Sequence, residues 1–244
     1  QNFIHGAAIL TVGVIIMKLL GFIYKIPLGN ILGDEGYSMF TSAYSIYFIF
    51  FTLATAGLPV ALSRLIAEAD ANGRAKQEEK TFRVALATFA VIGVIFALIL
   101  FLFPEWLAAK YLENPDAALS IKAMAPSILL VCLVSAYRGY CQGNGNMIPT
   151  TVDEVLEVLF KVISGLILAS CLLNAGYGKP VGSAGAILGV SIGSGISLLY
   201  MIIYKRRHYS ELSAPYTAGI HDPNDTPDDD EVVDSAWKIV KDIL

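Results

Sequence analysis

No HExxH helix, paired-cysteine motif, glycine-rich phosphate loop, GxSxG elbow or aspartate-rich prenyl-diphosphate motif occurs in these 244 residues. Those absences remove the usual sequence signs of an enzyme, and nothing calls for a metal or a cofactor. Histidine is nearly missing: His5, His208 and His221 are scattered at or beyond the ends of apolar segments, as solvated side chains would be. Cysteine is as scarce. Cys132, Cys141 and Cys171 lie in separate apolar stretches without ligand spacing, so they read as small core residues and no disulfide framework is implied. Charge makes up only 16% of the chain, and no basic surface for nucleic acid is present.

What the chain has instead is apolar length. It is 55% hydrophobic with a mean hydropathy of +0.62, outside the range of an ordinary soluble domain. A spanning helix needs about 20 apolar residues. Six candidate spans precede the change of composition near Lys205, so the fold expected is an all-α polytopic transmembrane helix bundle. The formal charge of -4 is uneven: from Asp222 onward eight acids face two bases, and the preceding 221 residues are slightly basic. The expected organisation is a six-helix membrane unit over 1–208, an acidic linker over 209–234 and the start of a further helix over 235–244. That last helix stops in mid-course, as a fragment of a longer protein would, and the first apolar stretch is too long for a signal-peptide core.

In order, the first span runs from Phe3 to Leu32, with Pro27 and Gly29 placed to bend its far end. A turn over Gly33-Asp34-Glu35-Gly36 follows, and the second span, from Tyr37 to Glu68, should kink at Gly57-Leu58-Pro59. The third covers Phe82 to Phe103. A loop from Glu105 to Ala118 then holds Trp106 and Tyr111 as interfacial aromatics. The fourth covers Ile121 to Tyr140, the fifth begins at Pro149 and reaches Leu173, and the sixth, Val181 to Tyr204, is rich in the Gly and Ser that allow close packing. Lys205-Arg206-Arg207 closes the set.

Charges inside such spans carry the functional signal, because a charge at mid-membrane costs at least ~3 kcal/mol and so faces protein or water. Lys18 and Lys25 are seven residues apart on the first span, at nearly one azimuth and about 10 Å apart along the axis, with Gly21 and Gly29 on the same stripe. That stripe suits a solvated cavity that receives an anion. The fifth span carries Asp153, Glu154, Glu157 and Lys161. Residues 154, 157 and 161 share a face, and Glu157 to Lys161 is the favourable i,i+4 order for an ion pair. Lys161 lies about 18 Å beyond Pro149, a depth comparable with Lys18. Asp153 reads as a helix N-terminal acid, and Arg64 and Arg138 as arginines near span ends that snorkel. The candidate substrate-binding set is Lys18, Lys25, Glu154, Glu157, Lys161 and Arg138, against the plainer possibility that these charges only neutralise one another. The tyrosines and serines of the second span offer a sugar-binding wall or ordinary packing.

Lys and Arg accumulate in the second, fourth and sixth loops, which places the N-terminus and the linker in the cytoplasm. Two stretches then carry a resemblance: Ala56-Gly57-Leu58-Pro59-Val60-Ala61-Leu62-Ser63-Arg64-Leu65-Ile66-Ala67-Glu68, and Tyr137-Arg138-Gly139-Tyr140-Cys141-Gln142-Gly143 with Met147-Ile148-Pro149-Thr150. They resemble the polysaccharide-exporter branch of the MOP superfamily, nearest to stage V sporulation protein B-like transporters and related to lipid II flippases. In those flippases helix 1 carries two cavity arginines that bind pyrophosphate. Met17-Lys18-Leu19-Leu20-Gly21-Phe22 sets Lys18 on the first, and Lys25 and Tyr24 both compete for the second.

The resemblance implies one lobe of a two-lobed flippase of the bacterial plasma membrane. Its substrate would be a lipid-linked sugar diphosphate, its partners the membrane lipids and a C-terminal lobe beyond residue 244, and its mechanism alternating access. The competing classes are a multidrug or cation antiporter of the related branch, for which an acid-dominated interior would be expected, and a structural membrane scaffold.

Overall fold

The structure is a computed structural model that describes residues 3–208 and 234–243, with side chains placed from Thr11 onward. Among the described residues there is no strand. The helices are α1 (Phe3–Ala56), α2 (Leu58–Ala71), α3 (Ala75–Leu102), α4 (Pro104–Tyr111), α5 (Ala118–Gly143), α6 (Ile148–Asn174), α7 (Lys179–Arg207) and α8 (Ala236–Ile243), with a 3-10 turn at Pro115–Ala117 before α5.

α1 consists of two arms, 3–32 and 34–56, joined at Gly33, whose φ of 66° and ψ of 178° lie outside the helical region. That backbone suits only glycine at low cost, because a Cβ would meet its own carbonyls there. The second arm folds back on the first. The Tyr24 and Phe40 rings meet edge-on at 6.1 Å, although 16 residues of straight helix would separate them by about 24 Å. The break is thus at Gly33, six residues beyond Pro27, and at Pro27 itself the backbone stays helical. Pro27 is tolerated because the span continues on both sides and no other position in α1 leaves the helical region.

Five helical segments are long and apolar enough to cross a membrane: Thr11–Ala71, Ala75–Leu102, Pro115–Gly143, Ile148–Asn174 and Lys179–Arg207. The first is 61 residues long and, folded at Gly33, contains both the first and the second expected span. The expected kink at Gly57 is present as the break between α1 and α2, with Pro59 in the first turn of α2. The stretch after Phe103, expected to be a loop, instead forms α4, started by Pro104, where the missing N–H costs nothing. Trp106 and Tyr111 lie on one side of it with ring centroids 5.4 Å apart.

α2 closes on Gly73 (φ 67°), with Arg74 N–H donating to the Ala69 carbonyl and Gly73 N–H to that of Asp70. This pattern satisfies carbonyls that the helix end leaves open, and α5 and α6 end in the same way at Gly145 and Gly176.

The helices approach closely where glycine removes the side chain. Gly139 and Gly143 of α5 sit against Pro59, Leu62 and Ile66 of α2, and Gly93 of α3 sits against Leu129 and Cys132 of α5. α6 and α7 run antiparallel with backbones nearly touching: Gly182 faces Leu173, Gly185 faces Leu172 and Leu168, Gly189 faces Gly165, and Gly193 faces Glu157 and Lys161. α1 lies parallel to α6, since Gly13 meets Thr151 and the Tyr24 hydroxyl meets Gly165. Around these seams two apolar clusters form the core. One joins Tyr24, Leu28, Phe40, Tyr47, Met124, Ile128 and Ile187, and the other joins Leu62, Ile66, Phe82, Phe89, Tyr140, Met201, Ile239 and Ile243.

α8 belongs to the second cluster through Ile239 and Ile243, both buried. Its entry is fixed by Asp234. The Asp234 N–H donates to Gln77 Oε1 (2.8 Å), Gln77 Nε2 donates to Asp234 Oδ2 (3.3 Å), and Lys80 Nζ donates to the Asp234 carbonyl (2.6 Å). The remainder of the expected linker, 209–233, lies outside the described residues.

Candidate functional site

The polar core of the bundle forms where α5, α6 and α7 meet. Arg138 lies in the last turns of α5, and a four-residue connection returns the chain to α6, whose first three turns bring Asp153, Glu154 and Glu157 to face it. Arg138 Nη2 is 2.9 Å from Asp153 Oδ2 and 2.8 Å from Glu157 Oε2, its Nε donates to Asp153 Oδ2 at 3.0 Å, and Nη1 lies 3.8 Å from Glu154 Oε1. The α6–α7 seam adds Ser197 Oγ, donating to Asp153 Oδ2 at 2.7 Å, and Ser194 Oγ, donating to Glu157 Oε1 at 2.7 Å.

Asp153 is 0% exposed and Arg138 9%. Burying one carboxylate without a cation would be prohibitive, and the planar guanidinium with its five donors is the group that serves several carboxylates at once. Three carboxylates to one guanidinium is nevertheless an acid-rich ratio. Asp153 Oδ1 is buried without a hydrogen-bond partner among the described residues, so the cluster is held by one oxygen of that carboxylate.

This geometry corrects three readings made from the sequence. Arg138 does not snorkel; it is the hub of the cluster. Asp153 is no mere helix-dipole acid but the most deeply buried member, a residue missed because position alone assigned it to the helix start. Glu157 pairs with Arg138 and Ser194 rather than with Lys161, because its two oxygens already serve those donors. The signal that could have revealed the cluster was present: an arginine 15 residues before an acid whose next helical neighbour is also an acid, in a segment where every charge needs a partner.

Lys161 is half-buried and stands over the Tyr44 ring, 5.7 Å from its centroid, without an ion pair among the described residues. Tyr44 belongs to a run of rings on the second arm of α1, Tyr37, Phe40, Tyr44, Tyr47 and Phe51, with successive centroids 5.4 to 6.2 Å apart. Lys18 and Lys25 are exposed, and neither makes an ion pair among the described residues. Gly13 and Tyr24 define the face of α1 that packs on α6. At ~100° per residue, both lysines lie roughly 120° round the helix from that face. The Gly13 to Thr151 contact also sets the heights of the two helices, placing Lys18 about level with Glu157, one turn from Lys161. Gly21 and Gly29, on the lysine side, have open space where a Cβ would be. The structure therefore separates the charges that sequence reasoning grouped. Arg138, Glu154 and Glu157 form a closed ion cluster with Asp153, whereas Lys18, Lys25 and Lys161 are cations without carboxylates.

A set of apolar helices of spanning length packed around a buried ion cluster defines the class. The fold is that of one half of a MOP-superfamily transporter. It superposes with a TM-score of 0.71 on a MOP superfamily transporter from Pyrococcus furiosus at 16% identity, covering 98% of this chain and 50% of that one. It does so equally, at 0.71 and 16%, on an outward-facing multidrug resistance MATE family transporter, again with 98% and 50% coverage. More particularly, the chain belongs to the family described as polysaccharide biosynthesis protein, which matches residues 3–221. Among characterised relatives it is similar to stage V sporulation protein B of Bacillus subtilis, 30% identical over 203 residues that make up 83% of this chain and 39% of the relative. It is also similar to lipid II flippase MurJ of the same organism, 28% identical over 218 residues, 85% of this chain and 40% of the relative. The chain thus spans about two-fifths of the length of the curated relatives it matches. Its five apolar segments of spanning length mark it as a membrane protein of that family.

Proposed function

We propose that this chain forms the first lobe, residues 1–208, of a flippase for polyprenyl-diphosphate-linked oligosaccharides, with the N-terminus and the linker on the cytoplasmic side. The observation that carries the reading is the set of cations at membrane depth that make no ion pair among the described residues. Lys18 and Lys25 stand on one open stripe of α1, and Lys161 stands over the Tyr44 ring. A cation left without a carboxylate in a membrane span is stable only against water or an anion. A lipid-linked diphosphate supplies that anion, while its polyprenyl tail remains in lipid. Lysine suits a group that must bind a phosphate and then release it, being a hydrated point charge and not a bidentate fork.

In this reading Arg138, Glu154 and Glu157, with Asp153, hold α5, α6 and α7 in one piece behind the cations, and the second lobe supplies the opposite wall for alternating access. The relative named as a lipid II flippase and the polysaccharide biosynthesis family support the substrate class. The lysines argue against a cation antiporter, whose substrate they would repel.

The test is flipping of a fluorescent lipid-linked oligosaccharide by the full-length transporter in proteoliposomes. Lys18→Ala with Lys25→Ala should abolish flipping while leaving expression and melting unchanged. Normal flipping by the double variant would overturn the proposal, and poor folding would favour a structural role for the two lysines.

A further inference from the structure

The end of the bundle that carries Lys205 has a second polar feature, separate from the cations above. The first turns of α3 line an open groove of about 410 Å³ through Ala75, Lys76, Glu79, Lys80 and Arg83. The end of α7 closes on the same place: Lys205 Nζ lies 2.8 Å from Glu79 Oε2 and 3.6 Å from the Phe82 ring centroid. Arg206 follows Lys205 in the last turn of α7 and is exposed. Tyr137 meets Phe82 of α3, with ring centroids 5.1 Å apart.

The charge count favours an anion. Glu79 is the groove's one carboxylate among the described residues, and it is already held by Arg83 Nε at 2.9 Å and by Lys205. Lys80 donates to the Asp234 main-chain carbonyl and makes no ion pair among the described residues. Lys76 and Arg206 have no ion pair among the described residues and are exposed.

The same stripe of α3 says what carries the anion. Lys76, Lys80 and Arg83 continue at helical spacing into Ala87, Val91, Val94 and Leu98, all exposed and free of charge. From Arg83 to Leu98 this apolar track is about 22 Å long, enough to accompany an acyl chain through one leaflet of a hydrocarbon core about 30 Å thick. A free phosphate ion would have no use for it.

We propose that the α3–α7 groove is a binding site for an anionic phospholipid, its phosphate on Lys76, Lys80, Arg83 and Arg206 and its acyl chain along Val91, Val94 and Leu98. Basic pockets between spanning helices at a membrane face are the usual place for such headgroups, and each cation there is worth about fivefold in binding.

The experiment measures equilibrium binding of a fluorescent short-chain phosphatidylglycerol to the purified protein, with phosphatidylcholine as the neutral reference. Lys76→Gln, Arg83→Gln and Arg206→Gln together should weaken phosphatidylglycerol at least tenfold and leave phosphatidylcholine unchanged. Lys110→Gln, Lys122→Gln and Lys179→Gln together, which remove the same charge from the opposite end, should stay within twofold of the parent. If the triple variant melts early, the single changes Lys76→Gln and Arg206→Gln each read a severalfold loss instead. Equal losses in the two triple variants, or no loss in the groove variant, would overturn the proposal. So would displacement of the label by millimolar inorganic phosphate as readily as by unlabelled phosphatidylglycerol, which would make the ligand a free ion.

Discussion

Replacing Arg138 by Met removes the one cation of the α5–α6–α7 cluster while keeping much of the side-chain volume. The guanidinium lies within 3.0 Å of two carboxylates and 3.8 Å of a third. Stripping it away leaves Asp153, fully buried, with only the Ser197 hydroxyl as donor, and Glu157 with only Ser194. Removing one partner of a buried ion pair costs ~3–5 kcal/mol, because the remaining charge stays without compensation. Here two or three carboxylates are stranded, so the loss should reach at least the top of that range. The assay is the fraction of detergent-solubilised protein that survives heating as a monodisperse species, followed by tagged fluorescence on a sizing column. Arg138→Met should shift the midpoint sharply downward or prevent accumulation. Asp153→Asn with Glu157→Gln in the same background should recover most of the loss, since the neutral amides still accept from Ser197 and Ser194 and no longer need a cation. A single variant that melts like the parent, or a triple variant no better than the single one, would refute the account of the cluster as an electrostatic tie.

Other perturbations follow from particular contacts. Gly189→Ala puts a methyl 2.5 Å from the Gly165 backbone and should cost ~1–3 kcal/mol in the same melting assay, through separation of α6 and α7. Gly33→Ala forces a Cβ into a backbone region (φ 66°, ψ 178°) that is open essentially to glycine alone and should cost ~1–3 kcal/mol, with Gly33→Asn no milder, read from paired melting curves. Ile239→Ala should leave the melting midpoint of the bundle in place but raise hydrogen exchange across 234–243, because α8 is held chiefly by two buried isoleucines and the Asp234 hydrogen bonds.

The spans were legible because membrane length and hydropathy are one-dimensional signals, and the breaks at Gly33 and Gly57 carried glycine in the letters themselves. The break itself falls at Gly33 and not at Pro27, because a proline leaves the backbone helical whereas the positive φ of Gly33 does not. The site was half legible. Lys18, Lys25 and Lys161 stood out as charges within apolar runs. Which charge pairs with which was not readable, because local spacing favoured Glu157 with Lys161 while the tertiary register of α5 against α6 brought in Arg138. An i,i+4 pair is worth only a few tenths of a kcal/mol, and a buried guanidinium outweighs it. The α3–α7 groove was legible only as a count of basic loops, since its shape depends on how the end of α7 returns to the start of α3.

The glycine seam between α6 and α7 has a mechanical consequence. Where main chain lies on main chain at Gly185, Gly189 and Gly193, little side chain remains between the helices to absorb a sliding displacement, so the pair must travel as one stiff beam. A push delivered at the Lys205 end would therefore arrive undiminished at the Lys179 end, and bending would be left to the joints at Gly33 and Gly57.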